Sequence, residues 1–265
     1  MNISFVKIRS KILKYKFNLY VKKIYFLRNF NIKSYFRKRL HFVHLGRTGG
    51  STIRNCLIRL NNFQKKYYFN YYGHLFKFHH LGKNSKYFFT IRDPIDRFIS
   101  GFNVRKNLAQ LENTTDPKKI NKYKISIKEH EGFKNFSSAN HLAESIYSND
   151  LSIRNKAMIA MNNIKHIKDT YISSLNKEYL IKNKPFFVIE SEKLEEDFFK
   201  LFNKLKCKKI DLPLKNISKN YRKGKDSDDK KLSDLAISNF KKWYKKDIEL
   251  YNFIITNKNF YNNTQ

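Results

Sequence analysis

The chain has 265 residues, a formal net charge of +33, and abundant aromatics (24 Phe, 17 Tyr), enough for one substantial α/β domain with a buried core. Four prolines and eight glycines exclude a fibrous or low-complexity chain. Two cysteines, Cys56 and Cys207, with no Cys-x-x-Cys pair, exclude a disulfide framework and point to a reducing compartment.

The charge would attract nucleic acid, an anionic membrane surface, a polyanionic substrate or an anionic cofactor. Base-composition bias also produces Lys- and Asn-rich chains, so charge alone does not choose the partner. No apolar run approaches the roughly 20 residues of a membrane span. The N-terminus lacks the uninterrupted apolar segment and small-residue cleavage site of a signal peptide. The address expected from these absences is cytoplasmic, with peripheral membrane contact left open.

Residues 1–40 contain no acidic residue; the first in the chain is Asp93. Apolar residues alternate there with Lys and Arg as in a basic amphipathic helix or two. Such an extension would dock on a polyanion or membrane surface, or pack on the domain with its lysines in water. Residues 41–260 are expected to form the main domain. His41–Leu45 reads as a strand and Thr52–Asn61 as a helix, separated by Gly46-Arg47-Thr48-Gly49-Gly50-Ser51-Thr52. A strand, a tight glycine loop and a helix N-terminus together present backbone N–H groups and a helix dipole to an anion. Six of the eight glycines lie between Gly46 and Gly101, so backbone freedom is concentrated near this loop.

Lys86–Ile91 reads as a second buried strand, ending at Arg92-Asp93-Pro94, with helical spacing from Ile95 to Phe102. An Asp93–Arg97 ion pair is expected to shape that turn. Residues 106–135 are poorly patterned, with a loop expected at Asn113–Pro117. Ser138–Tyr147 and Ile153–Ile167 look helical, Pro185–Glu190 looks like a third buried strand, and Leu194–Leu205 like an amphipathic helix. Asn216–Lys231 reads as a lysine-rich loop and Leu232–Ile255 as closing helices. Strands alternating with helices predict a P-loop-like, three-layer α/β fold, its mainly parallel central sheet flanked by helices.

The first loop is not the nucleotide-triphosphatase version, because Gly50 rather than lysine precedes Ser51. Nor is it the Gly-x-Gly-x-x-Gly dinucleotide pattern. Arg92 at a strand end and Ser100 two turns into the next helix could converge on one phosphate. No His, Cys and carboxylate group has metal-ligand spacing, so no metal is expected.

The ordered pair, strand–Gly loop–helix followed by strand–Arg-Asp-Pro–helix–Ser, resembles the sulfotransferases that use 3′-phosphoadenosine 5′-phosphosulfate (PAPS). The closer resemblance is to the carbohydrate branch that includes heparan sulfate 2-O-sulfotransferase and related bacterial proteins. It covers roughly Phe42–Phe102 and continues weakly through Phe187–Leu205 and the Leu212–Asn216 turn. The resemblance implies that Arg47, Thr48, Gly49, Gly50, Ser51 and Thr52 bind the 5′-phosphosulfate, and that Arg92 and Ser100 bind the 3′-phosphate. It also implies that His74, in Tyr72-Gly73-His74, is the general base toward an acceptor hydroxyl, which an imidazole titrating near neutrality suits. A structural loop histidine would fit the same place, and His79 and His80 are rivals. His166, in a helical pattern, reads as structural.

The family has lysine where this chain has Arg47, and proline where it has Gly46. Arginine keeps the charge and a bidentate grip but is a poor proton donor, so its help to the leaving group would be mainly electrostatic. Lys219, Arg222, Lys223 and Lys225 around Gly224 could close over the cofactor or an anionic acceptor, or simply be solvated. The implied partner is a carbohydrate or other hydroxyl acceptor; nucleic acid is disfavoured. Two other readings remain: a basic nucleic-acid- or membrane-binding protein without catalysis, and an ATP-using phosphotransferase.

Overall fold

The computed structural model describes residues 36–63, 66–74, 76–82, 84–112, 125–206 and 231–263. The basic segment 1–35, the loop at 113–117, Cys207, the 212–216 turn and the basic loop around Gly224 lie outside the described residues.

Four strands form one all-parallel sheet in the order β2-β1-β3-β4. They are β1 (Lys38–Val43), β2 (Tyr67–Tyr72), β3 (Tyr87–Ile91) and β4 (Phe187–Glu190). Along β3, Tyr87, Phe89 and Ile91 enter one core while Phe88 enters the opposite one, all fully buried. Burial on both faces explains why this strand is an unbroken apolar run.

Helices α1 (Gly50–Phe63) and α7 (Leu194–Leu205) cover one face, with Ile53, Leu57 and Leu60 meeting Phe198, Leu201 and Phe202 over Phe42 and Phe88. Helix α9 (Lys245–Asn263) covers the other through Leu250, Ile254 and Tyr261. Between these elements run α2 (Pro94–Glu112), α3 (Ile127–Asn135), α4 (Ala139–Ser145), α5 (Leu151–Asn163), α6 (Lys177–Lys182) and α8 (Asp234–Trp243). Phe98 and Phe102 of α2 pack with Leu142, Met161 and Phe240 in a separate helical core. The α/β, parallel-sheet architecture expected from the sequence is the one observed.

Several boundaries differ. The aromatic stretch before Gly73, assigned no strand from its composition, supplies the edge strand β2, whose six residues pair with all of β1. The helix expected to reach Ile167 stops at Asn163, where Asn162 and Asn163 donate their side-chain amides to Met158 O and Ile159 O. At the end of β4, Glu190 accepts from the buried Lys258 ammonium, which also reaches Asp197 and so ties α9 to β4 and α7.

The topology positions the site. From β1 the chain passes through α1 to β2 on one side, whereas β3 lies on the other side of β1 and leads to β4. The carboxyl ends of β1 and β3 therefore form the topological switch point, where open α/β sheets leave a crevice.

Candidate active site

The loop between β1 and α1 lies at that switch point. Two residues take left-handed backbone there, Arg47 (φ 66) and Gly49 (φ 81). Gly50 is required for a different reason: a Cβ on it would stand 1.9 Å from His44 Cδ2. Thr48 is fully buried, donating its hydroxyl to Leu45 O (2.8 Å) and sharing a 2.6 Å hydrogen bond with Thr90 Oγ1 of β3. Its side chain is thus spent holding the loop, and what it can offer a ligand is backbone. Arg97 Nε donates to Gly46 O at 2.9 Å, a third anchor, from α2. Ser51 is exposed and Thr52 mostly buried at the start of α1. Since the first turn of a helix leaves N–H groups outside its own ladder, the pinned loop aims a positive dipole end into the crevice.

Arg47 donates to Ser100 Oγ from Nη2 (2.7 Å) and Nε (3.2 Å), joining the two sequence motifs directly. Burial pushes the Arg47 guanidinium down to about 10, with Arg92 and Arg97 adding repulsion, so it stays protonated at neutral pH. Arg92 stands 3.7 Å from Asp96 and 3.9 Å from Glu192. The expected Asp93–Arg97 ion pair is not what shapes the turn. Asp93 Oδ1 accepts from Ile95 N (2.8 Å) and Asp96 N (3.1 Å), capping α2. Arg97 turns the other way, to Gly46 O and Asp169 O, with its guanidinium 4.6 Å over the Tyr171 ring. The carboxylate satisfies orphan helix N–H groups, and the arginine carbonyls that water does not reach.

His74 follows β2 and brings an imidazole to the same loop. Its ring centroid is 4.5 Å from that of His44 and 5.6 Å from that of His166. A Cβ on Gly46 would stand 3.4 Å from His74 Nδ1 and 3.2 Å from His166 Nδ1, so both rings line the space over Gly46. Removal of water by the surrounding protein holds His74 below the ordinary imidazole value; Asp169 opposes this, and Lys165, Arg97 and Arg47 reinforce it. His44 is a neutral structural ring, its Nδ1 bonded to the Tyr71 hydroxyl (2.8 Å), with burial lowering it to about 3. His80 Nδ1 accepts the Lys77 N–H (3.0 Å) in a short 3₁₀ turn (Phe78–His80) and His79 packs on it; these rivals of His74 are tied to that turn.

The neighbour of His74 that sequence reasoning did not place beside it is His166. It occupies a turn after α5, not a helix, at φ 70. The one available signal was the Asn162-Asn163 pair, a helix-ending composition. The buried Ser191 hydroxyl also borders the loop: without a hydrogen-bond partner among the described residues, it would stand 3.6 Å from a Cβ on Gly49.

Cys56 is buried on α1, its thiol pushed up to about 11 by burial. Among the described residues no group of three or more His, Cys, Asp or Glu could hold a metal ion, and no helix is long and apolar enough to cross a membrane. In comparisons with known proteins, the chain matches the family model described as "Sulfotransferase family" over residues 27–254. No curated protein and no solved structure matches.

Proposed function

Because the chain belongs to the sulfotransferase family, and is thereby a transferase, we propose that it moves a sulfuryl group from PAPS to a hydroxyl of a carbohydrate acceptor, with His74 as general base. The observation that carries this reading is the Arg47–Ser100 hydrogen bond. It gathers the glycine loop, the start of α1 and the Arg92–Ser100 motif around one crevice, with His74 across Gly46.

The residues fit an anion with two phosphate groups. Arg92 and Arg97 both depress the pKa of Arg47, so three guanidinium groups crowd a loop that opens onto a helix N-terminus. A phosphate or sulfate would relieve their mutual repulsion. Arg47, the loop 48–52 and the Ser191 hydroxyl would hold the 5′-phosphosulfate end, and Arg92 with Ser100 the 3′-phosphate. When bound, PAPS supplies an activated sulfuryl group with a nucleotide leaving group.

The protein's own contribution is positioning, charge and a base. Arg47, protonated at neutral pH, places fixed positive charge where the leaving oxygen becomes negative. Its pKa is still too high for ready proton donation, so this help is electrostatic. His74, held below the ordinary imidazole value, is neutral at pH 7 and able to take the acceptor proton. The pinned loop, anchored by Thr48, Thr90 and Arg97, keeps the groups oriented.

Titration calorimetry with adenosine 3′,5′-bisphosphate tests the reading. The wild type should bind, Arg92→Ala should weaken binding, and His74→Ala should bind normally but lose turnover. An absence of nucleotide binding, or binding indifferent to Arg92→Ala, would sink it. A screen of sugar acceptors with radiolabelled PAPS identifies the acceptor.

A further inference from the structure

His166 has three properties that do not belong together in a merely structural residue. Its backbone is in the left-handed region (φ 70), which costs a residue with a Cβ roughly 1–2 kcal/mol and which histidine enters more readily than most. Among the described residues its buried Nδ1 has no hydrogen-bond partner, and Asp169 Oδ2 is 3.9 Å away. An unpaired buried polar atom is a second penalty, of about 1–3 kcal/mol. Yet the turn that bears it is held firmly. Lys165 N donates to Glu129 Oε1 (2.9 Å), the Tyr244 hydroxyl donates to Ile167 O (2.9 Å), and Arg97 donates to Asp169 O. Strain that persists because its surroundings over-determine it is a mark of function.

What the turn holds in place is a nitrogen that borders the same space as His74 Nδ1. His166 Nδ1 and His74 Nδ1 lie 3.2 and 3.4 Å from one point, the Cβ position that Gly46 leaves empty. The rings are 5.6 Å apart, tilted by 59°, and not bonded to each other. A side chain on Gly46 would crowd both.

We propose that His166 is a positioning residue for His74, its Nδ1 accepting the Nδ1–H hydrogen bond of His74 and so favouring the tautomer whose Nε2 is free to take a proton. This rests on the reading of His74 as the base. As the acceptor oxygen bonds to sulfur and the sulfur–oxygen bond to the nucleotide breaks, the hydroxyl proton passes to His74 Nε2. The resulting imidazolium carries N–H on both nitrogens. The hydrogen bond from His74 Nδ1–H to His166 Nδ1 then has a charged donor and is stronger. An interaction that strengthens as charge develops on His74 lowers the barrier more than it tightens ground-state binding. Burial keeps His166 neutral, with His74, Arg47, Lys165 and Arg105 adding repulsion, so its Nδ1 lone pair stays available.

Two variants separate this role from packing. His166→Gly removes the ring and relieves the left-handed strain. His166→Asn keeps a polar atom near the Nδ1 position and tolerates that backbone. Both are measured in the full chain by ring NMR titration of His74, melting temperature, adenosine 3′,5′-bisphosphate binding, and turnover of PAPS with water as the acceptor. Losing the acceptor of a charged hydrogen bond should lower the His74 titration midpoint by about one unit and slow turnover roughly tenfold or more. His166→Asn should restore most of both. Nucleotide affinity and melting temperature should not fall in His166→Gly. The charged groups around the pair, Arg47, Arg97, Arg105, Lys165 and Asp169, are unchanged in both variants. Full turnover and an unshifted His74 in His166→Gly, with His74→Ala inactive, overturn the inference and leave the base reading standing. Full turnover in His74→Ala removes the base and the inference with it.

Discussion

Arg47 and Ser100 stand 53 residues apart in the chain and 2.7 Å apart in space, guanidinium to hydroxyl. One comes from the loop after β1 and the other from α2, so this bond ties the two elements together at the switch point. Ser100→Ala leaves Arg47 buried beside Arg92 and Arg97 without its hydroxyl acceptor. A hydrogen bond from a charged donor contributes about 1.5–3 kcal/mol. Binding of adenosine 3′,5′-bisphosphate should therefore weaken roughly tenfold or more by calorimetry, with the circular dichroism spectrum unchanged.

Gly50→Ala should destabilise the protein although it lengthens no side chain beyond a methyl. The added carbon would meet His44 Cδ2 at 1.9 Å, and His44 cannot swing away without breaking its bond to the Tyr71 hydroxyl. Overpacking of this kind costs about 1–3 kcal/mol, a fall in melting temperature of roughly 3–10 °C for a domain of this size. Scanning calorimetry checks it; an unchanged transition would mean that the ring is not held there.

Arg105 and Glu129 form a two-pronged ion pair, Nε to Oε1 at 2.9 Å and Nη2 to Oε2 at 2.8 Å, with side chains only 3% and 4% exposed. Burial pushes the Glu129 carboxyl up, but Arg105 and the N–H groups of Ser126 and Lys165 more than reverse it, leaving it below the ordinary value. Arg105→Ala strands the carboxylate and should cost about 3–5 kcal/mol, whereas replacing both partners by apolar residues of like volume should cost far less. Because Glu129 also holds Lys165 N, the single variant should lose turnover along with stability. Denaturant melts of the single and double variants give the comparison.

Acid should unfold this protein from near neutrality downward. Burial lowers His41 to about 4 and His44 to about 3, with Arg39 acting on the first and His74, Arg47 and Arg54 on the second. Below the unfolded value near 6.5 the unfolded chain binds these protons and the folded one does not. Stability therefore falls as pH drops from about 6.5 toward 4, by on the order of 1 kcal/mol per pH unit for each histidine. The slope flattens for each as its folded value is passed. Urea midpoints at pH 7.5, 6, 5 and 4 report it; a flat profile would contradict burial of neutral imidazoles.

The strand–loop–helix at Gly46–Thr52 and the apolar run of β3 were legible because their signals are local. A helix has period 3.6, a strand buried on both faces is continuously apolar, and a glycine loop announces itself by composition. The edge strand β2 was hidden because its aromatic residues alternate in no clear pattern. It becomes a strand by pairing with β1, which no window of sequence contains.

The same division runs through the site. Sequence by itself determined the parallel α/β architecture, the glycine loop between β1 and α1, and the family to which the chain belongs. Tertiary structure alone decided that Ser100 meets Arg47, that Arg97 leaves Asp93 for the Gly46 carbonyl, and that His166 stands beside His74. Those choices follow from which carbonyls and carboxylates remain to be satisfied once the helices have packed, and partners chosen in that way are distant in the chain and leave no periodic trace in it.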